Sequence, residues 1–187
     1  MEFLDVICRR RSVRDYQKQE IPLSIVKDIL KLASYAPYPK NKSNWHTIVF
    51  HDQEKQELNK ELLKYLLLKK DIGHSTHNSI KTCIKAPVLL LIYSIYKNQT
   101  NSIQDELLNH SYIQSSGAYI QNILLCATNL GLGSLWVNDI LFFQDELTSY
   151  VGESSRLVSC VLLGVPNITP GQNNIVQKES NYHIFGK

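Results

Sequence analysis

The sequence lacks any segment suited to crossing a membrane. Its longest apolar run, 86–93, has eight residues, whereas a membrane-spanning helix needs roughly 20. Charge of one sign is also scarce, since the net charge is +3 over 187 residues, of which 43% are apolar. That balance excludes disorder as the main state and gives no general argument for nucleic-acid binding. Because no charged stretch followed by an apolar one opens the chain, we expect a cytoplasmic protein rather than a secreted one.

Cysteine and histidine are too scattered to suggest a metal centre. The four cysteines stand far apart, at Cys8, Cys83, Cys126 and Cys160. No Cys-x-x-Cys pair occurs, which disfavours zinc binding and dithiol exchange, and the apolar neighbours of each cysteine predict inert buried thiols. His74 and His77 share a predicted helix face, but no carboxylate or cysteine nearby completes a ligand set. We therefore expect no metal.

Three enzyme signatures are missing as well. The sequence has no Gly-x-Ser-x-Gly elbow and no Walker A motif, which disfavours a serine hydrolase and a P-loop nucleotidase. Its nearest approach to a dinucleotide fingerprint, Gly131-Leu132-Gly133, follows a predicted helix instead of a strand. A Rossmann site is therefore disfavoured too.

Apolar residues recur at helical spacing over much of the chain. This spacing, with proline and glycine as end signals, predicts helices over 1–10, 22–33, 113–130 and 142–151, and another that begins after a cap at Asp52. The helix over 113–130 has the strongest pattern and ends at Gly131, which supplies a left-handed stop. The helix after Asp52 has an inner stripe formed by Leu58, Leu62 and Leu66.

Three segments are predicted to be strands, 47–51, 88–95 and 157–165. The second is apolar throughout, so we expect it to be central in the sheet with both faces covered. The polar stretch 96–110 predicts an irregular surface excursion, and 166–187 predicts a tail too polar to form a core. Because no repeat or linker interrupts the chain, we expect one domain, 1–187, of the α+β class.

The first of three polar clusters stands where the first helix ends. Residues 9–16 contain four arginines within six positions, together with a serine. Guanidinium groups bind phosphate oxygens through paired hydrogen bonds, so the cluster is a candidate phosphate site. A solvated basic turn explains this segment alone equally well. Nucleic-acid binding is less favoured, because no aromatic residues are interleaved and no second basic block follows.

The other two clusters have the composition of binding segments. Residues 36–45 form a proline-set loop rich in amide and hydroxyl groups, which suits a planar heterocycle but is also typical of a structural turn. Residues 131–136 follow the long helix with two glycines, which allow a ligand or another strand to approach closely.

Taken in order, these segments resemble the nitroreductase family of FMN-dependent oxidoreductases. The family's opening Arg-x-Ser-x-Arg-x-aromatic pattern is matched by Arg10, Ser12, Arg14 and Tyr16. Its Ala-Pro-Ser-x-x-Asn-x-Gln-Pro-Trp loop is matched by Ala36, Pro37, Asn41 and Trp45. The family's long helix, with its Gly-Leu-Gly end and nearby Trp, is matched by Gln121, Asn122, Leu125, Ala127, Gly131, Leu132, Gly133 and Trp136. A late Gly-x-Pro is matched by Gly164 and Pro166, so the resemblance spans residues 3–166.

The resemblance implies a nitroreductase-like fold, with a central mixed or antiparallel sheet flanked by helices. It also implies an obligate homodimer with an exchanged C-terminal tail and with FMN at the subunit interface. The implied reaction is ping-pong hydride transfer from NAD(P)H, through flavin N5, to an electron-poor acceptor such as a nitroaromatic or a quinone. The flavin carries that chemistry, so no catalytic side chain is expected.

The same resemblance implies which residues bind the cofactor. The FMN phosphate and the polar edge of the ring are contacted by Arg10, Arg11, Ser12 and Arg14. The isoalloxazine is lined, normally from the other subunit, by Pro37, Tyr38, Pro39 and Asn41. The flavin is faced near N5 by Leu132 and Gly133, and its pyrimidine is bound in some family members at positions matched by Asn78 and Lys81. The basic pair of the family's C-terminal tail has a single candidate here, Lys178.

Three loop positions depart from the family pattern, since Tyr38 replaces Ser, Ser43 replaces Gln and Asn44 replaces Pro. We assign Tyr38 and Ser43 to the substrate pocket, where the phenol is expected to narrow or reshape the space above the ring. Two alternatives share the FMN site: a flavin-binding or sensing protein with little NAD(P)H turnover, and a dehydrogenase of a specialised metabolite. A basic-patch nucleic-acid binder is a third alternative.

Overall fold

The computed structural model describes residues 2–41, 43–69, 71–96 and 102–168, except for the side chain of Asn41. The helices in these ranges are α1 (Phe3–Arg9), α2 (Leu23–Ala33), α3 (Asp52–Leu68), α4 (His74–Lys85), α5 (Ile103–Asn129) and α6 (Gln144–Val151). The strands are β1 (Trp45–Phe50), β2 (Val88–Ser94), β3 (Gly133–Val137) and β4 (Arg156–Gly164). Short 3-10 turns occupy Pro39–Asn41 and Asp139–Phe143. Among the described helices, none combines the length and the apolarity of a membrane span.

The four strands form one sheet in the order β1-β2-β4-β3, and every neighbouring pair is antiparallel. Strand β2 is paired on both sides, and all of its residues from Val88 to Ser94 are buried. A strand without polar alternation has no face to present to water, which is why it occupies the centre. The predicted α+β class and the central position of this strand are confirmed.

Helices cover both faces of the sheet and divide the core in two. On one face, Leu89 of β2 belongs to the same buried cluster as Leu58 of α3. On the other face, Leu90 of β2 packs in a cluster with Ile120 of α5 and Ile29 of α2. Consecutive strand residues point to opposite faces, so a continuous apolar run supplies both clusters. Burying one side chain of this size stabilises the folded state by roughly 1.5–3 kcal/mol.

Strand β3 was not predicted from the sequence. Gly133–Val137 pairs with β4 at the edge of the sheet, which raises the number of strands from the expected three to four among the described residues. The segment has five residues, begins with Gly and Ser, and leaves Trp136 39% exposed. Such a short stretch carries no clear alternation, so the periodicity that identifies strands was absent.

Three other local predictions are corrected by the structure. Helix α5 begins at Ile103, within the stretch predicted to be irregular, because the Ser102 hydroxyl caps it by accepting a hydrogen bond from the Asp105 N–H (3.2 Å). Asp52 is not a cap: it is the first residue of α3, at a φ of +49°, and its carboxylate pairs with His51. Cys8 is exposed rather than buried, whereas Cys83 and Cys160 lie in the core as expected.

An ion pair ties the edge strand β1 to the loop that follows α6. Glu153 Oε2 lies 2.7 Å from His46 Nδ1. The other oxygen, Oε1, accepts hydrogen bonds from the backbone N–H groups of Ser154 (2.8 Å) and Ser155 (2.9 Å). These donors, with the Ser155 amide as the largest influence, hold the pKa of Glu153 at about 2, below its ordinary 4.5.

We expect Glu153 to stabilise the fold fully above about pH 4.5 and to lose this effect as the pH falls towards about 2. The carboxyl group binds a proton more readily in the unfolded chain, so acid favours unfolding. Denaturant-derived unfolding free energies should show Glu153→Gln to be less stable than the native chain near neutral pH, with the difference vanishing at about pH 2. Glu57→Gln is the control, because Glu57 pairs with Lys60 on the surface. A difference that stays constant over this pH range would contradict the assignment.

Candidate functional site

The arginine-rich segment 10–17 extends along the sheet edge next to β3. Ser12 forms a parallel bridge with Ser134, and the Val13 N–H donates to the Ser134 carbonyl at 3.0 Å. Further along, the Gln17 N–H donates to the Val165 carbonyl at 2.8 Å. The structure therefore brings the first and the third polar clusters of the sequence into direct contact.

Two glycines make this contact possible by lacking a side chain. A Cβ on Gly133 would lie 2.9 Å from Cγ1 of Val13, and a Cβ on Gly164 would lie 2.4 Å from Cδ1 of Tyr16. The Tyr16 hydroxyl in turn donates to the Val13 carbonyl at 2.7 Å. Burial raises the pKa of the Tyr16 phenol well above its usual range, so it remains a neutral donor. The close packing of Val13 on Gly133 and of Tyr16 on Gly164 thus fixes the backbone of segment 10–17 against the sheet.

The arginines of the cluster have different roles in the structure. Arg11 Nη1 donates to the carbonyls of Cys8 (2.8 Å) and Arg10 (2.7 Å), which closes the C-terminal end of α1. Arg14 is exposed, and its Nη1 has a longer contact, 3.4 Å, with the Ser12 carbonyl. Ser12 is exposed and Arg10 is half-buried. Arg14 is therefore an exposed cation two residues after exposed Ser12.

Ser134 is a candidate site residue that the sequence reasoning missed. Its hydroxyl is buried and has no hydrogen-bond partner among the described residues. Leaving such a group unpaired costs about 1–3 kcal/mol, so an acceptor from a ligand or an ordered water would be favoured at this position. Its backbone bridge partner Ser12 and nearby Arg14 in the same segment are both exposed, and this donor set fits a phosphate-bearing cofactor. The sequence signal was its place directly after Gly133.

The other residues proposed for the ring are placed as follows. Asn78 and Lys81 lie one turn apart on α4 and are both exposed. Leu132 is half-buried, and its N–H donates to the Ala127 carbonyl at 2.9 Å, at the end of the long helix. Lys178 lies outside the described residues. Cofactor contacts by all of these residues stay predictions.

An aromatic series supports the proline-set loop before β1. The Tyr38 ring meets the Trp45 ring edge to face at 5.5 Å, and Trp45 stacks on Tyr119 of α5 at 4.7 Å with an interplanar angle of 11°. Tyr119 reaches back to β1, with its hydroxyl 3.0 Å from Thr47 Oγ1. Tyr38 is 37% exposed, so one side of its ring faces outward from a firmly packed base.

Asn44 anchors the other end of this loop. It is 2% exposed, although the resembling pattern has a proline here. Its Nδ2 faces Ser94 Oγ (2.9 Å), the Tyr112 carbonyl (2.9 Å) and Ser116 Oγ (3.2 Å). The Ser115 hydroxyl donates to its Oδ1. The amide thereby joins the loop to β2 and to α5 inside the core, and exposed Ser43 precedes it directly.

Asn44→Ala is expected to destabilise the fold by about 2–3 kcal/mol, because several buried hydroxyl and carbonyl groups lose their shared partner. The free energy of unfolding in denaturant measures this directly. Ser43→Ala changes the exposed neighbouring residue and should alter stability by less than about 0.5 kcal/mol. Equal effects of the two substitutions would show that the buried network contributes nothing.

The loop and the arginine segment occupy diagonally opposite corners of the sheet. Trp45 stands at the start of edge strand β1, opposite Ser94, whereas Gly133 stands at the start of the other edge strand, opposite Gly164. The spacing of strands and residues in a sheet puts these corners about 25 Å apart. Within one chain, the second polar cluster is therefore separated from the first and the third.

Comparisons with known proteins agree with this architecture. The sequence pattern that defines the nitroreductase family matches residues 7–165 of this chain. A relative from Archaeoglobus fulgidus, provisionally named NADH dehydrogenase/NAD(P)H nitroreductase, is 30% identical over 174 residues, which cover 88% of this chain and 86% of the relative. A nitroreductase-like family protein from Bacillus cereus has a TM-score of 0.75 at 18% identity, over 98% of this chain and 92% of that one. The FMN-dependent nitroreductase NfnB from Mycobacterium smegmatis, solved in complex with NADPH, has a TM-score of 0.73 at 18% identity. The match covers 95% of this chain and 93% of NfnB.

Proposed function

Because this chain belongs to the nitroreductase family, we propose that it is an FMN-dependent oxidoreductase that uses NAD(P)H. The observation that carries the proposal is the junction of the arginine segment with β3. There, Ser134, whose buried hydroxyl has no partner among the described residues, forms a backbone bridge with exposed Ser12, and exposed Arg14 follows two residues later. When bound, FMN supplies hydride chemistry between NAD(P)H and an electron-poor acceptor such as a nitroaromatic or a quinone.

The protein's own part in this reaction is binding and orientation. We assign the phosphate to Arg10, Ser12 and Arg14, with Arg11 as the residue that shapes the turn through its bonds to Cys8 and Arg10. Asn78 and Lys81 are assigned to the polar edge of the ring, and Leu132 and Gly133 to its reactive side. A lysine at that edge favours negative charge on the reduced cofactor.

A homodimer is part of the same proposal. Helix α1 exposes Phe3 (68%), Leu4 (74%) and Ile7 (46%), and Leu32 (54%) and Leu130 (52%) are exposed beside it. An apolar groove of about 700 Å³ runs between α1, α2 and α5. Exposed apolar surface of this extent is typical of an interface. Pairing two chains also brings the loop of one subunit to the arginine corner of the other, which a single chain cannot do.

The loop residues then form the second wall of the pocket. We assign Pro37, Tyr38, Pro39 and Asn41 to the isoalloxazine of the partner subunit, and Tyr38 and Ser43 to the acceptor side. Tyr38 packs against Trp45, which in turn stacks on Tyr119, so the wall is stiff. A stiff aromatic wall favours flat acceptors and works against bulky ones.

The first experiment is a visible absorption spectrum of the purified protein, repeated after NADH or NADPH is added without oxygen. The proposal expects a flavin band that either nicotinamide bleaches, and sedimentation at the mass of a dimer. A band that neither nicotinamide bleaches would favour the flavin-binding protein or the dehydrogenase of a specialised metabolite. No band after incubation with FMN would overturn the proposal.

A further inference from the structure

A second polar cavity lies at the end of the sheet where β1 stops and β2 begins. It has a volume of about 420 Å³ and is bounded by segment 17–21, the first turns of α3 and residues 84–87. Its lining includes Lys18, Glu20, His51, Lys55 and Lys85. None of these residues belongs to the flavin site proposed above.

The cavity wall contains a buried cation with uncharged partners. Lys55 is 3% exposed. Its ammonium group donates to Asn59 Oδ1 and, at 3.4 Å, to the Ile84 carbonyl. An ammonium group has three N–H donors, and within the described residues the third has no acceptor and no carboxylate forms an ion pair with it. Buried charges in proteins are normally paired, so a counter-charge is missing here.

Asp52, three residues before Lys55 on α3, has its carboxylate paired elsewhere. Asp52 Oδ2 lies 2.7 Å from His51 Nδ1, and His51 Nε2 lies 2.6 Å from the Ile21 carbonyl. The His51 ring thus lies between two oxygen groups, the Asp52 carboxylate and the Ile21 carbonyl. The backbone of Asp52 is in the left-handed region, with a φ of +49°. In the part of the chain that the structure describes, the Asp52 carboxylate contacts His51 and forms no ion pair with Lys55.

The charge of Lys55 persists at neutral pH. Burial lowers the pKa of its ammonium group from 10.5 to about 8, which still leaves most of the molecules protonated at pH 7. Of the other charged groups that line the cavity, Lys18 and Lys85 are positive and Glu20 is negative. Asp52 is the second negative group of the lining, so three lysines, with Lys55 included, stand against two carboxylates and the cavity has a positive excess.

We propose that this cavity is a binding site for a small oxyanion of the phosphate type, with Lys55 as its buried ligand. An oxygen of such an anion accepts a hydrogen bond from the third N–H of the Lys55 ammonium group, and the anion supplies the missing negative charge. The chemistry suits either free phosphate or the phosphate group of a nucleotide. The proposal does not rest on flavin binding, since it uses a different set of residues.

The test is calorimetric titration of inorganic phosphate into the FMN-loaded protein at pH 7, in a buffer without other oxyanions. Lys55→Met keeps the length of the side chain and removes its charge, so the fold should be retained. We expect this variant to bind phosphate at least about tenfold more weakly. Lys60→Met, on the exposed side of the same helix with 70% of its side chain accessible, is the matched control and should bind like the native chain.

Competition separates the two sources of phosphate. Displacement by NADP+ but not by NAD+ would identify a nucleotide phosphate as the ligand, and no displacement by either would identify a free anion. Both results support the site. No measurable phosphate binding, or equal binding by the native chain and Lys55→Met, would overturn it. FMN content and NADH turnover, recorded in the same samples, keep this outcome distinct from the proposed oxidoreductase activity.

Discussion

Replacing Arg14 with Gln should weaken FMN binding by about 10- to 100-fold. The guanidinium of Arg14 is exposed at the junction with β3, where the proposed site needs a cation for the phosphate. Hydrogen bonds to charged groups contribute about 1.5–3 kcal/mol, which corresponds to that range of affinity. The dissociation constant is measured by fluorescence as FMN is titrated into flavin-free protein. The fold should be unaffected, because among the described residues this side chain makes only a long contact, with the Ser12 carbonyl in its own turn.

Arg9→Gln is the matched control for Arg14→Gln. Arg9 is an exposed arginine in the last turn of α1 and lies outside the assigned site. Both substitutions remove one positive charge from the same basic segment, so a general electrostatic effect would weaken FMN binding equally in the two variants. Selective loss in Arg14→Gln is the expected result. Equal affinities in both variants and in the native chain would remove Arg14 from the site.

Gly164→Ala should destabilise the fold by about 3 kcal/mol and weaken FMN binding as well. The added Cβ would lie 2.4 Å from Cδ1 of Tyr16 and 2.8 Å from Cδ of Pro87. A buried ring and a proline ring have little freedom to move, so overpacking is costly here. Displacing Tyr16 also disturbs its hydrogen bond to the Val13 carbonyl, which supports the arginine segment. Unfolding in denaturant and FMN titration measure the two effects.

Gly73→Ala provides the comparison for Gly164→Ala. Gly73 precedes α4, and a Cβ there would meet no atom within 4 Å. Its backbone has an ordinary negative φ of −63°, so alanine is tolerated and stability should change by less than about 0.5 kcal/mol. If Gly164→Ala is as harmless as Gly73→Ala, the close packing of Tyr16 on Gly164 does not hold the segment in place.

The sheet and helices could largely be predicted because their signals are local. The apolar run of β2 and the leucine stripe of α3 express periods of two and 3.6 residues, which fix which face is buried. Strand β3 was missed since its identity depends on pairing with β4 rather than on its own five residues. The early start of α5 was missed because a single serine cap outweighs the polar composition that follows it.

The candidate site was predictable only in its composition. The arginines, the glycines and the loop stood out by residue type, but the contact of Ser12 with Ser134 joins residues far apart in the chain and depends on the folded sheet edge. The position after Gly133 marks Ser134 in the sequence, but the fold is needed to reveal that its hydroxyl is buried without a partner among the described residues. Asn44 was noticed as a departure from the family pattern, yet its burial among Ser94, Ser115 and Ser116 appears only in the structure.

The proline-set loop (36–45) and the arginine segment (10–17) lie at diagonally opposite corners of the sheet, and this separation has a genetic consequence. If each site draws on the loop of one chain and the arginine corner of another, a defect at either corner damages a different half of the same site. Co-expressing an allele altered in the loop with an allele altered in the arginine segment yields mixed pairs. In such a pair, one site collects both lesions and the other collects none. Two inactive alleles should therefore restore part of the activity to each other, whereas two alleles damaged at the same corner should not.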